Sequence, residues 1–196
     1  PWVDPRDHDL MPDVHMSMGQ TAENVASIYS ITRNEMDEFA LRSQQLTLGS
    51  AMNGFWDIDI TPVRLSDGTL VGKDDGPRPE STLEGLTQLK PIFLENGTVT
   101  AGNCCGLNDG AAGVLVMSAD YARELGITPL ARIVSSAVSG LSPEIMGLGP
   151  IEASRRALQI AGLNAADIDQ IEINEAFAAQ VIPCYRELDF PLERVK

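Results

Sequence analysis

Apolar positions fall into two regimes along the 196-residue chain. Up to about residue 107 they come in short, irregular groups. Residues 1–20, rich in Pro and Asp, read as loop, and "TAENVASIYS" then takes helical spacing. In "TRNEMDEFALRSQQLTLGSAMNG", Thr32 followed three positions later by Glu35 is a capping box that starts a helix. Met36, Phe39 and Leu46 give it a partial apolar face, and Asn53-Gly54 ends it. The two helices are expected to form a hairpin. In "FWDIDITPVRLSDGTLVG", Ile58 and Ile60 alternate with Asp, and Asp67-Gly68 marks a turn between two β-like runs. A polar loop "DDGPRPES", a short helix in "TLEGLTQLKPIF" and a short strand "GTVTAG" follow.

Beyond about residue 110 the pattern becomes regular. "AAGVLVMS" predicts a buried strand and "ADYARELG" a helix closed by Gly126. "LARIVSSAVSG" predicts a second strand. "GPIEASRRALQIAG" predicts a helix with Pro150 in its first turn and Gly162 past its end. "IDQIEI" is a third strand and "EAFAAQVIPCYREL" a last helix. Strand-helix alternation of this kind indicates α/β layers, with the first half as a more irregular α+β insertion.

Composition narrows the function classes. A hydrophobic fraction of 43% allows a packed core. A net charge of −14 argues against nucleic-acid partners and anionic membrane surfaces, because no basic face neutralises phosphates. An anionic ligand would have to use local donors such as helix N-termini and backbone N–H groups. Three cysteines, two of them adjacent, do not make a disulfide framework, so a reducing, cytoplasmic setting is expected. No spacing suggests a metal site, and no apolar run approaches the ~20 residues of a membrane helix. The chain opens on Pro1 and reads as the interior of a longer polypeptide.

Three stretches carry candidate chemistry. "NEAFAAQ" lies at a strand-to-helix junction, where ligands bind in open α/β sheets. Asn174 there either caps the helix or presents a donor and acceptor that hold a water or polarise a carbonyl. "MGQTAENVA" opens a helix with Gly and Thr. "TAGNCCGLNDGAA" strings small residues together, which makes it either a tight loop or a backbone approach to a ligand. Cys104 and Cys105 invite a nucleophile reading. The only histidines, His8 and His15, sit far off in the N-terminal loop, and two small side chains beside a loop are the plainer account. Cys184, inside a helix, reads as buried and inert.

Taken together, "MSMGQTAENVA", "GTVTAGNCCGLNDGAAGVLVMS" and "IMGLGPIEASRRALQIAGLNAADIDQIEINEAFAAQ" resemble the thiolases, the acetyl-CoA acetyltransferase and 3-ketoacyl-CoA thiolase family. They occur in the family's order, from about Met11 to Val195. The resemblance implies an α/β thiolase fold (layered αβαβα), incomplete, with an α+β loop domain inserted. Residues 1–107 then match the CoA-binding loop domain. Residues 108–128 match the last strand and helix of the N-terminal half, and 129–196 the first part of the C-terminal half. It implies acyl transfer between an enzyme Cys and coenzyme A, with CoA and acyl-CoA as substrates and no covalently bound cofactor. A homo-oligomer, dimer or tetramer, is expected at full length.

Position by position, Asn174 matches the Asn that fixes an oxyanion-hole water. Met18 matches a Met of the acyl pocket. Ala101, Ala176 and Phe177 match positions along the pantetheine channel, and Arg78 a basic residue near the adenine nucleotide. Cys105 stands where a Ser usually contacts the pantetheine. Ser17 stands where many biosynthetic members have His, which points toward degradative or longer-acyl enzymes. Neither Cys104, Cys105 nor Cys184 matches the family's nucleophile or second Cys, and no residue matches its catalytic His. The chain alone is therefore expected to be inactive. It reads as part of a longer thiolase, as half of a split enzyme, or as a non-catalytic CoA-binding relative; outside the family, a structural α/β interaction domain is the alternative.

Overall fold

The computed structural model describes residues 13–196, so His8 and most of the Pro- and Asp-rich opening lie outside the described residues. Helix α1 spans Met18–Ile28. Its start is a capping box in which the Ser17 hydroxyl accepts from the Gln20 N–H and the Gln20 side chain returns to the Ser17 N–H. Helix α2 spans Arg33–Met52, started by the Thr32–Glu35 box that the sequence predicts. It ends where expected, at Asn53, with Gly54 in the left-handed region at φ 80°.

The helical hairpin is not what forms. Helices α1 and α2 each lean on the last helix rather than along one another. Ala22 and Ala26 of α1 and Met36 and Phe39 of α2 share one core cluster with Val181 and Ile182. The apolar face of α2 stops at Phe39, and Leu46 is exposed.

Helix α3, Phe55–Asp59, replaces the expected alternating run. Gly54 starts it and the Trp56 Nε1 donates back to the Thr47 carbonyl, so the segment folds onto α2 instead of extending. The Asp67-Gly68 turn does join a hairpin, β1 (Val63–Arg64) to β2 (Leu70–Val71), antiparallel with Val63 opposite Val71. Gly68 at φ 90° makes that turn possible. Helix α4 spans Leu83–Thr87 and α5 spans Ala119–Glu124, the latter closed by Gly126 at φ 67°. A 3₁₀ segment, Pro143–Leu148, leads into α6, Gly149–Ala161, which has Pro150 in its first turn and Gly162 at φ 68° past its end. Helix α7 spans Ala178–Glu187, with Ala178–Cys184 all buried. Pro183 inside it costs one helical hydrogen bond.

Among the described residues, β1–β2 is the only ladder. The expected strands at 111–118 and 130–140 are not paired, and Leu115 and Ile133 stand 81% and 72% exposed. "GTVTAG" contributes a single bridge, Pro91 to Thr100, and "IDQIEI" a single parallel bridge, Ile171 to Val195. A strand exists only by hydrogen-bonding a neighbour, and the described residues give these apolar segments none.

Candidate active site

The wall of the site is a loop clamped by buried carboxylates. Glu23 of α1, buried, accepts from the backbone N–H groups of Thr98 and Val99 at 2.9 and 2.8 Å and from the Thr98 hydroxyl at 2.9 Å. Asp37 of α2, fully buried, accepts from Arg33 Nε at 2.7 Å and from Asn103 Nδ2 at 2.9 Å. Asn103 spends its other capacity on the same loop: its Oδ1 accepts from the Thr100 N–H at 2.9 Å. Every charge here has partners, as burial demands.

The clamped loop in turn fixes the start of α7. The Asn103 carbonyl accepts the Ala178 N–H at 2.9 Å, Cys104 bridges Phe177, and the Cys105 N–H donates to the Ala176 carbonyl at 3.0 Å. A backbone carbonyl from another segment therefore satisfies the first N–H of α7. Residues 174–177 stay outside the helix, whose N-cap is Phe177 in extended conformation. Asn174 is not a helix cap: it lies three residues before Phe177, the N-cap of α7.

Two cavities meet at Asn174. The larger, about 1510 Å³, is walled by α2 (Ser43, Gln44), the 72–78 loop and residues 101–109, and reaches Asn174 and Glu175. The smaller, about 210 Å³, is almost wholly apolar and lies between Met18 and Val25 of α1, Met146, Pro150, Ile173 and Phe177. Asn174 lines both. Arg78, Ala101 and Cys105 open on the large cavity; Met18, Ala176 and Phe177 open on the small one. Each of the seven candidate positions, from Met18 to Phe177, thus lines one of the two cavities, and Asn174 lines both.

Charge in the large cavity is mixed. Among the described residues lining it, the cations are Lys73 and Arg78, facing Asp74, Asp75, Asp109 and Glu175. The Arg78 N–H donates to Gln44 Oε1 at 2.7 Å, which pins this loop on α2. Burial pushes the Glu175 carboxyl above its ordinary value, against the opposing pull of its hydrogen bond from Ser43 and the nearby Arg42. Burial likewise raises the Cys104 thiol, and lifts Cys184 to about 11. Cys184 is thus neutral at ordinary pH and inert, as its helical position suggested. His15 lines neither cavity. Ser17 is occupied as the cap of α1.

Sequence reasoning passed over Ser43, Lys73, Met146 and Glu175 as site residues. Glu175 and Met146 were in view inside "NEAFAAQ" and "IMGLGP"; Ser43 and Lys73 had no local signal, because only the fold brings them to the cavity.

Family models for the thiolase N-terminal domain and the thiolase C-terminal domain match residues 6–120 and 127–196. The chain belongs to the thiolase family. It is 45% identical over 191 residues to a probable acetyl-CoA acyltransferase of Staphylococcus epidermidis, covering 95% of this chain and 48% of that protein. It is 49% identical over 179 residues to the 3-oxoadipyl-CoA/3-oxo-5,6-dehydrosuberyl-CoA thiolase of Escherichia coli, covering 89% and 45%. Its backbone follows the Bacillus anthracis acetyl-CoA acetyltransferase with a TM-score of 0.89 and 43% identity over 100% of this chain and 51% of that one. Human mitochondrial 3-ketoacyl-CoA thiolase in complex with CoA matches with a TM-score of 0.89 and 41% identity, over 96% and 48%. The fold is therefore the thiolase fold. The chain spans about half the length of the thiolases it matches. No helix among the described residues is long and apolar enough to cross a membrane, and no group of three or more His, Cys, Asp or Glu there could hold a metal.

Proposed function

We infer that this chain carries the coenzyme A site and one oxyanion-hole position of a thiolase-type acyltransferase. The observation that carries the reading is Asn174 at the junction of a large polar cavity and a small apolar one. A thioester needs that arrangement. Its acyl tail fits the apolar pocket by Met18 and Met146, its pantetheine and nucleotide fit the large cavity, and its carbonyl falls between them, beside Asn174. A carboxamide there, directly or through a held water, donates to the oxygen as negative charge develops. Lys73 and Arg78 supply the local cations for the nucleotide phosphates of a ligand that the −14 chain as a whole would repel. Residues 1–107 act as the CoA-binding loop domain, 108–128 close the N-terminal half and 129–196 open the C-terminal half. The assembled enzyme is a homo-oligomer that uses CoA as substrate.

The nucleophile and the base come from outside these 196 residues. Cys184 is buried and Cys104 is partly buried with its thiol raised; Cys105 is exposed on the large cavity, but among the described residues no histidine lines either cavity to serve as its base. The chain alone therefore binds CoA without cleaving 3-ketoacyl-CoA.

The test is thiolysis by the intact protein that carries this chain, with calorimetric titration of CoA. Asn174→Ala is expected to lower kcat by about 10²-fold or more and to leave CoA affinity within about threefold. An Asn174→Ala protein with unchanged kcat overturns the oxyanion assignment. Absence of CoA binding to the unsubstituted protein overturns the reading as a whole.

A further inference from the structure

No side-chain hydrogen bond ties Asn174 to the other described residues, so where it sits depends on the backbone that carries it. That backbone is a short turn held at both ends. On one side, Ile171 donates to the Arg194 carbonyl at 2.9 Å and accepts from the Lys196 N–H at 3.0 Å. The 192–195 segment is itself gripped by α2, whose Arg42 donates to the Leu192 and Val195 carbonyls at 2.9 and 2.7 Å. On the other side, Ala176 is held to Cys105 by the bond already described. Between these anchors the turn has one side chain of its own tied to α2: the Ser43 hydroxyl donates to Glu175 Oε2 at 2.5 Å, across 132 positions of sequence. Glu175 and Ser43 both line the large cavity, and Glu175 is the residue next to Asn174.

We propose that Glu175 is a positioning residue. Its hydrogen bond with Ser43 fixes the 171–176 turn to helix α2, and so holds the Asn174 carboxamide at the junction of the two cavities. This rests on the reading of Asn174 given above. The choice of residue types fits the role. A carboxylate accepting from a hydroxyl makes a stronger bond than a neutral pair does. Adjacent positions on α2 serve the two sides: Arg42 takes the 192–195 carbonyls and Ser43 takes the turn, so one helical segment sets the register of both. Displacement of an oxyanion donor by even a fraction of an ångström lowers transition-state stabilisation more than it lowers ground-state binding. The effect of loosening the turn is therefore expected in kcat.

The experiment compares Ser43→Ala, Glu175→Ala, Glu175→Gln and Ser43→Thr in the intact protein that carries this chain. Hydrogen exchange read by mass spectrometry follows the 171–177 segment, with α6 as internal reference, and steady-state thiolysis is measured alongside. Ser43→Ala and Glu175→Ala are expected to exchange about tenfold faster at 171–177 with α6 unchanged, and to lose about tenfold in kcat with KM for CoA within about twofold. Glu175→Gln and Ser43→Thr keep an acceptor and a donor and are expected to restore most of both. Unchanged exchange at 171–177 in the two alanine variants overturns the proposal whatever the activity. Exchange that rises equally in α6 also overturns it, since that is general destabilisation. Faster exchange at the turn with unaltered kcat, in a protein whose Asn174→Ala variant is impaired, shows a latch that does not position Asn174 and overturns it as well. A protein without thiolysis or CoA binding defeats the functional reading separately, and exchange then decides whether the latch exists.

Discussion

Two regions of this chain have similar apolar content and opposite fates. Around α7, Val181, Ile182 and Cys184 are buried on every side by α1, α2 and the 143–148 segment. In 107–139, Val114, Leu115, Ile133 and Val138 are exposed. The difference is not hydrophobicity. A helix completes its backbone hydrogen bonds within itself and needs only a surface to cover its apolar face, whereas a strand needs a neighbour for both its backbone and its side chains. The α7 region also has polar anchors that select its arrangement, Glu23 and Asp37 with the 98–103 loop, and Arg186 of α7 with Glu35 of α2 at 2.8 Å. The 107–139 segment has few: Ser135 and Ser139 hydroxyls each donate to one carbonyl of α6 or its start.

The strongest way to break the buried side of this comparison is Asp37→Ala. It leaves Arg33 Nε without its acceptor, leaves Asn103 Nδ2 with only the Thr98 carbonyl and loosens the loop that caps α7, for an expected loss of about 4 kcal/mol in denaturant unfolding. A loss below about 1 kcal/mol would mean that the clamp is not what orders the site. The next contrast sets a core position against an uncovered one. Ile182→Ala is expected to cost about 3 kcal/mol, and Leu115→Ala, measured in the 196-residue chain, less than about 0.5 kcal/mol. Equal costs would show that 107–139 is packed in solution and would erase the distinction between the regions.

A smaller effect concerns pH. Hydrogen bonds from the Thr32 N–H and hydroxyl, then from Arg186, hold the Glu35 carboxyl at about 2, below its ordinary 4.5. Because the folded value is the lower one, this stabilisation is fully present above about pH 4.5 and is lost as pH falls from there through about 2. Glu175, raised by burial, acts with the opposite sign, since its proton is held more tightly in the folded chain. Thr32→Ala is expected to cost about 1 kcal/mol at neutral pH and to flatten the acid limb of stability against pH. An acid limb of unchanged steepness would remove Glu35 from the account.

The parts of the fold legible in the sequence are those decided within a few residues. The Thr32–Glu35 box, the stops at Gly54, Gly126 and Gly162, and the Asp67-Gly68 turn are local hydrogen bonds or backbone conformations, and each stands where it was expected. The alternation at Ile58 and Ile60 misled because a left-handed Gly54 and a Trp56 bond back to α2 outweigh a five-residue pattern. The hairpin of α1 and α2 misled because α1 packs on the 143–148 segment and α7, and α2 on α4 and α7, rather than on each other. At the candidate site the motifs named Asn174 and its neighbours through family resemblance. Ser43 was beyond reach, because a Ser within a mostly polar helix has no local signature.

The sequence by itself determined the helix starts and stops, the single hairpin turn and, through three ordered motifs, membership of the thiolase family. Only the tertiary structure decided that Asn174 stands free of α7 where a large and a small cavity meet, and that Glu175 beside it is tied to Ser43. It also decided that the apolar runs at 111–118 and 130–140 stay unpaired among the described residues. The physical reason is range. Caps and turns are settled by atoms a few residues apart, whereas a cavity junction, a 132-residue hydrogen bond and a β-ladder depend on which distant segments are brought alongside.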